Sequence, residues 1–389
     1  MMKKTLLFLL VVALCLFTSL GYSGSAQTPY KIGAILSLSG RGALLGIPEK
    51  KTIEMLVEQV NSRGGIHGHP IKLIILDDGS KKKMAAEGVK RLIEEEDVLA
   101  IIGPSLSGTS LAVFPIAEAS EVPLISCAAS YKIVTANREA GEQYKWIFKT
   151  PQSDSLAVLR IYTHMKKRGI SRIAILTAKT EFGESGREEL TRLAPGFGMS
   201  IVAQETYGPR QTSMVKEFRK IKQLSCDGII NWSVGPTQII ALYHWREMGL
   251  SVIPFYQSHG FGSPRNIALA GNAGEGVFCP LGPCMVGPLL PENHPQKQVI
   301  MAYRKAFRER YGEEISSFGG HAWDAFSLLV DALKTVGPIR PKIREHLEFR
   351  RGFVGQHGVF NFSPLDHNGL SIDSFVMVVV KDGKWALAE

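Results

Sequence analysis

The chain has 389 residues, with 45 basic against 36 acidic side chains for a net charge of +9, and 45% of it is hydrophobic. That length supports about two domains with separate cores, and the ordinary composition excludes low-complexity and collagen-like classes. The modest positive excess reads as solubility or as attraction of an anionic solute, and without an aromatic-basic motif it argues against a nucleic-acid partner.

Lys3 and Lys4 open the chain, Leu6 to Leu20 is uncharged and largely apolar, and Gly24-Ser25-Ala26 places small residues before Gln27. This three-part pattern predicts a secretory signal over residues 1–26, cleaved near Ala26. The apolar run of about 15 residues falls short of the roughly 20 needed to span a bilayer. Bulky Leu14 and the continuing apolar run argue against a lipid anchor at Cys15. No later uncharged stretch reaches membrane-spanning length, so the mature chain is expected to be soluble.

From there apolar strands alternate with helical stretches, the pattern of parallel sheets with helices on both faces. Strands are expected at Lys31–Leu36, Ile71–Leu76, Leu99–Ile102 and Pro123–Ile125. Between them, Ile53, Leu56, Val57 and Val60 mark a helix over Glu49–Asn61, and Ala85–Ile93 and Thr109–Ala119 read similarly. After Trp146–Lys149 a second series begins. It expects helices at Ser155–Lys167, Glu184–Leu193, Ser213–Gln223 and Pro236–Met248. Its strands are expected at Arg172–Leu176, Ser200–Glu205, Gly228–Asn231 and Ile253–Tyr256. The two series are alike, which implies two similar lobes. A Gly- and Pro-rich stretch, Gly276–Pro291, then leads into two helices, Gln296–Tyr311 and Phe318–Val336. The end turns to strands at Gly358–Phe362, Ser374–Val380 and Lys384–Ala386, the last after an Asp382-Gly383 hairpin turn.

Four cysteines follow the signal: Cys127, Cys226, Cys279 and Cys284. Cys279 and Cys284 enclose Pro280-Leu281-Gly282-Pro283, which suits either a small bridged loop or two unpaired, part-buried thiols. This spacing lacks a second cysteine pair or a histidine cluster, so neither a metal nor another cofactor is expected.

Several strings together resemble the leucine/isoleucine/valine-binding type of periplasmic solute receptor, a type I periplasmic binding protein. They are Asn61-x-x-Gly64-Gly65-Ile66-x-Gly68 before Asp77-Asp78, Ile101-Ile102-Gly103-Pro104-x-x-Ser107, and Val122-Pro123-Leu124-Ile125-Ser126-x-Ala128-Ala129-Ser130. Phe182-Gly183-Glu184 is similar to the family's Tyr-Gly element, and Trp323-Asp324-Ala325 to its Tyr-Asp-Ala helix start. Each is weak alone; their order and spacing are specific, and the match covers essentially the whole mature chain. The resemblance implies an α/β, two-lobed fold, each lobe a doubly wound, mainly parallel sheet, joined by three hinge crossovers near Phe148–Pro151, Phe278–Leu281 and Phe353–Val359. Lobe one would comprise residues 27–148 plus 281–352, and lobe two residues 149–280 plus 353–389. It implies a periplasmic, monomeric receptor that closes over a small carboxylate or amino-acid solute and docks on an ABC permease in the inner membrane.

The resemblance also implies site residues. By family position, the Ser107 and Ser130 hydroxyls with the N–H groups of Ala128 and Ser130 would hold a carboxylate, at strand-to-helix turns where backbone donors converge. Ser107 also suits a plain helix N-cap. Leu45 stands where relatives carry an aromatic at the cleft rim, or packs in the core of a turn. In lobe two, His259 occupies the place of the acidic residue that pairs with an amino acid's ammonium, and Phe182 replaces a Tyr. Histidine carries no fixed negative charge at neutral pH. Trp232 would add a flat apolar surface, unless it and Phe182 belong to the lobe core. These departures predict a carboxylate lacking an α-ammonium, an aromatic or branched acid, as the solute; a branched-chain amino acid is the alternative.

Two rivals remain at this level. An enzyme lacks support, because Gly103-Pro104-Ser105-Leu106-Ser107 fails the nucleophile-elbow pattern and Gly271-Asn272-Ala273-Gly274-Glu275-Gly276 has the wrong spacing for a dinucleotide loop. A ligand-sensing module would share the clam-shell and signal through a partner protein.

Overall fold

The computed structural model describes residues 27–135 and 144–388; the expected signal, residues 1–26, lies outside them. Two sheets organise the chain. The first is β1 (Tyr30–Leu36), β2 (Ile71–Asp77), β3 (Ala100–Ile102), β4 (Leu124–Ser126) and β5 (Ile147–Lys149), in the order β2-β1-β3-β4-β5 and parallel throughout. Strands covered on both faces are apolar without alternation, and β3 and β4 are buried along their whole length. Side chains still alternate between the two faces. Ile32, Ala34 and Leu36 point to the cluster containing Ile53 and Leu56 of α1 (Ala43–Ser62). Ile35 points the other way, to Val89 and Leu92 of α2 (Lys82–Glu94) and Val113 of α3 (Ser107–Ala119).

The second sheet contains β6 (Arg172–Ala178), β7 (Ser200–Tyr207), β8 (Gly228–Trp232), β9 (Phe255–Gln257) and β10 (Phe278–Leu281). Adding β13 (Val376–Lys381) and β14 (Lys384–Leu387), its order is β14-β13-β10-β9-β8-β6-β7. It is parallel except where β13 pairs antiparallel with β10 and β14. Asp382 and Gly383, with φ of 51° and 67°, make the tight turn read from the sequence. Helix α4 (Asp154–Lys167) leads into β6, and α5 (Glu181–Phe197), α6 (Val215–Gln223) and α7 (Thr237–Glu247) lie between its strands in the chain. Among the described residues, no helix is long and apolar enough to cross a membrane.

Two further helices escape sequence reading. The first, α8 (Pro264–Ala270), is a short turn of chain. After α9 (Lys297–Tyr311) and α10 (Ser317–Val336) comes the second, α11 (Arg340–Phe349), whose Pro341 falls in the helix's first turn. Proline there costs no hydrogen bond, although it reads as a breaker. The α10 helix is apolar nearly all round and returns to pack on α1 and β3. Its Leu328 and Leu329 are fully buried, a gain of about 1.5–3 kcal/mol each.

The chain passes to the second sheet after β5 and returns after β10 to α10, which packs on α1 and β3. Strands β11 (Phe353–Val354) and β12 (Val359–Phe360) pair only with each other. Phe362 packs edge-on against Phe148 at 5.8 Å and His367 stacks on it at 4.2 Å. Lys149 N–H donates to the His367 carbonyl at 3.1 Å, so this segment covers the edge of β5 rather than entering the second sheet. Phe375 is the first residue beyond it to join the second lobe's core.

Asp324, in α10, pins this segment. Its fully buried carboxylate accepts from the Gln356 and His357 backbone N–H groups and lies 3.0 Å from His357 Nδ1. All four cysteines after the signal are free and buried, which decides between the alternatives for Cys279 and Cys284. Cys279 donates to the Ser258 carbonyl at 3.1 Å, and Cys284 Sγ lies 3.3 Å from His357 Nε2. We expect Asp324→Ala to cost at least about 2 kcal/mol in urea denaturation, because two buried amides and a buried imidazole lose their acceptor.

Candidate functional site

The carboxyl ends of both sheets face one cleft, where ligands of open α/β sheets bind. Its interior and open mouth together take up about 490 Å³ not occupied by protein atoms. The first lobe lines it with the start of α1, the N-terminus of α3, the loop after β4 and the first turn of α10. The second lobe contributes the start of α5, Val234 and the turn at His259-Gly260. At the N-terminus of α3 the first amides have no intrahelical acceptor and carry the positive end of the helix dipole. Gly108 in that turn faces the Glu181 carboxylate of the other lobe, against which a Cβ there would press. Thus the lobes touch at the anion-favouring end of α3.

The structure brings together Leu45, Ser107, Ala128, Phe182 and His259 on the cleft wall. Leu45 packs with Leu106 and Phe318. The two amides expected to hold a carboxylate already have acceptors: Ser130 N–H donates to Ser107 Oγ at 3.3 Å, and Ala128 N–H to Ser126 Oγ at 3.1 Å. Ser130 is fully buried and off the cleft wall, and its hydroxyl donates to Ser185 Oγ of α5 at 2.8 Å. It therefore joins the lobes. Trp232 is also off the wall, which corrects its expected place. It is wholly buried behind Phe182 and His259, at 5.9 and 5.7 Å between ring centres. The indole fits because α5 has Gly186 there; a Cβ would lie 2.2 Å from Trp232 Nε1.

His259 is buried, held edge-on by Phe182, Trp232 and Phe375. Burial, with Lys149 and His357 nearby, pushes its pKa down to about 3, so it is a neutral imidazole. Its Nε2 lies 3.9 Å from Asp154 Oδ1. Asp154 is fully buried under it and accepts from Ser185 Oγ and from Tyr131 N–H. Burial raises the Asp154 carboxyl and lowers the nearby Lys149 ammonium, which donates to the Ala129 carbonyl at 2.6 Å.

Three cleft residues with a charged or imidazole side chain were not foreseen: Arg41, Glu181 and His321. Arg41 makes no side-chain hydrogen bond or ion pair among the described residues, and burial lowers its pKa against the pull of Glu181 and Asp78. Its signal in the sequence was a lone cation in the Gly40–Gly46 turn. Glu181 corrects the expectation that lobe two offers no anion, yet it is already ion-paired with Lys82 of lobe one. Burial would raise its pKa, but Lys82 and Arg41 outweigh burial and hold it low. In the sequence it looked like an acidic residue favoured by a helix start. Lys132 Nζ and Tyr131 OH also cross to Glu188, at 2.7 and 3.0 Å.

Residues 29–384 match the sequence pattern of the periplasmic binding protein family. The chain belongs to that family. It is 24% identical over 346 residues to Leu/Ile/Val-binding protein homolog 1 of Brucella suis biovar 1, covering 88% of this chain and 86% of that one. An extracellular ligand-binding receptor from Rhodopseudomonas palustris HaA2 superposes with a TM-score of 0.86 at 27% identity, covering 93% of this chain and 100% of that one. An ABC-transporter solute-binding protein from R. palustris, solved with benzoate, superposes with a TM-score of 0.80 at 23% identity over 92% and 95% of the two chains. This periplasmic binding protein thus has the two-lobed α/β fold of the solved structures it superposes on.

On the cleft wall, the Ser105 hydroxyl donates to the buried carboxyl of Glu49 and accepts from Ser37 N–H at 3.0 Å. Burial raises Glu49 from its ordinary 4.5 to about 8. The unfolded chain releases this proton near pH 4.5, whereas the folded protein keeps it to about pH 8, so stability falls as pH rises through that window. Thermal melts of Glu49→Gln should therefore show its Tm rising relative to the parent between those limits. A second expectation concerns charge: Arg41→Ala should weaken every anionic solute by about ten-fold or more in calorimetry, because a charge-assisted contact is worth about 1.5–3 kcal/mol.

Proposed function

We propose that this protein is the extracytoplasmic receptor of an ABC importer and captures a small carboxylate with an apolar body and no α-ammonium. The observation that carries this is the charge distribution in the cleft. Among the described residues Arg41, beside the α3 N-terminus, makes no ion pair and only feels the charges of Glu181 and Asp78, while the acid on the facing lobe, Glu181, is ion-paired with Lys82. A carboxylate answers the first group; an ammonium would have to compete for the second. Leu45, Leu106, Phe182 and Phe318 supply an apolar wall for a ring or branched chain. Burial there adds about 25 cal/mol per Å². The benzoate-bound relative shares this architecture. Contacts from both lobes then favour the closed form, which is the state a permease distinguishes.

A branched-chain amino acid is the second reading, because Glu181 does face the cleft and relatives are named for Leu, Ile and Val. Calorimetry separates the two. We expect benzoate or 4-methyl-2-oxopentanoate to bind at least about ten-fold more tightly than leucine. Tighter leucine binding that Glu181→Gln abolishes would establish the amino-acid reading instead.

A further inference from the structure

Two imidazoles reach the cleft from opposite lobes, next to Pro151 at the first crossing: His259 from the turn after β9 and His321 from α10. They expose only 6% and 4% of their surfaces. Neither His259 nitrogen has a hydrogen-bond partner among the described residues, and His321 Nδ1 has none. Leaving such an atom unsatisfied in the interior costs about 1–3 kcal/mol. Neither ring is free to turn away. His259 is wedged between three aromatic rings. His321 stacks on His357 at 3.6 Å, and its Nε2 lies 3.4 Å from Ser317 Oγ.

Burial keeps both rings neutral. A neutral imidazole offers one N–H donor and one lone pair. This end of the cleft therefore presents donors and acceptors without a formal charge on its wall. A second carboxylate or an ammonium would find no counter-charge on either ring. An apolar end would leave the nitrogens bare. A hydroxyl is the smallest group that donates and accepts together, so it suits a wall that offers one neutral imidazole from each lobe.

We propose that the solute carries, at the end away from its carboxylate, a hydroxyl that bridges His259 and His321. The proposal rests on the carboxylate reading above and names the solute class more narrowly: a hydroxylated aromatic acid. Because the bridge spans both lobes, the hydroxyl acts on closure as well as on affinity.

The test is calorimetry of the purified mature protein with two probe pairs, benzoate against 4-hydroxybenzoate and phenylacetate against 4-hydroxyphenylacetate. The hydroxylated acid should bind at least about ten-fold more tightly in one pair or both. The affinity ratio should fall toward one in His259→Phe and in His321→Phe, with circular dichroism verifying the fold. His259→Gln, which keeps a donor and an acceptor, should restore part of the preference. Equal affinities in both pairs, or a preference that survives both Phe variants, overturn the bridge while leaving the carboxylate reading intact. If none of the four acids binds, the carboxylate reading itself fails, and the bridge with it.

Discussion

Closing two lobes over a cleft strips water from every polar group on its walls, and each such group must then find a partner or carry a penalty. That constraint orders this site. Some groups are answered by protein across the gap: Lys82 by Glu181, Lys132 by Glu188, and Ser130 by Ser185. Others lack a hydrogen-bond partner among the described residues, namely the Arg41 guanidinium, which only feels the charges of Glu181 and Asp78, both nitrogens of His259, whose Nε2 lies 3.9 Å from Asp154, and Nδ1 of His321. The first set holds the lobes together; the second set describes the solute in negative, with a cation at one place and neutral hydrogen-bonding groups at another.

The crossings that join the lobes are built from the same material. Lys149 ends β5 and gives its buried ammonium to backbone carbonyls of the cleft loop, while Asp154 starts α4 only five residues on in sequence. Through Ser185 and Ser130 the Asp154 carboxyl is connected to the first lobe. Around them, Thr150 donates to the His321 carbonyl and Gln152 to that of Ser374, so cleft and crossings share one hydrogen-bonded frame. A contact made by a solute at His259 or His321 is therefore one residue layer from the hinge.

Much of this was legible locally. The strand-helix alternation, the Asp382-Gly383 turn and the apolar stripe of α10 follow from period and turn chemistry, which neighbouring residues carry themselves. The strand-to-helix turns that hold Ser107 and Ala128 were readable for the same reason. The α11 helix was missed because Pro341 in a first turn looks like a stop. Phe353, Phe360 and Phe362 carry a strand-like signal, but their strands pair only with each other and Phe362 packs on Phe148 of β5, which no local pattern announces.

What the sequence by itself determined is the α/β class, the two-lobed order and the loops from which a cleft is made, since these depend on residues close together in the chain. Only the tertiary structure decided which of those loop residues meet water, solute or each other. Glu181 is neutralised by a lysine nearly a hundred positions earlier, Trp232 is drawn behind the wall by Gly186, and His321 arrives from a helix that the sequence marks only as core. Such pairings depend on distances between lobes, and no local periodicity encodes a distance between parts of the chain that touch only after both have folded.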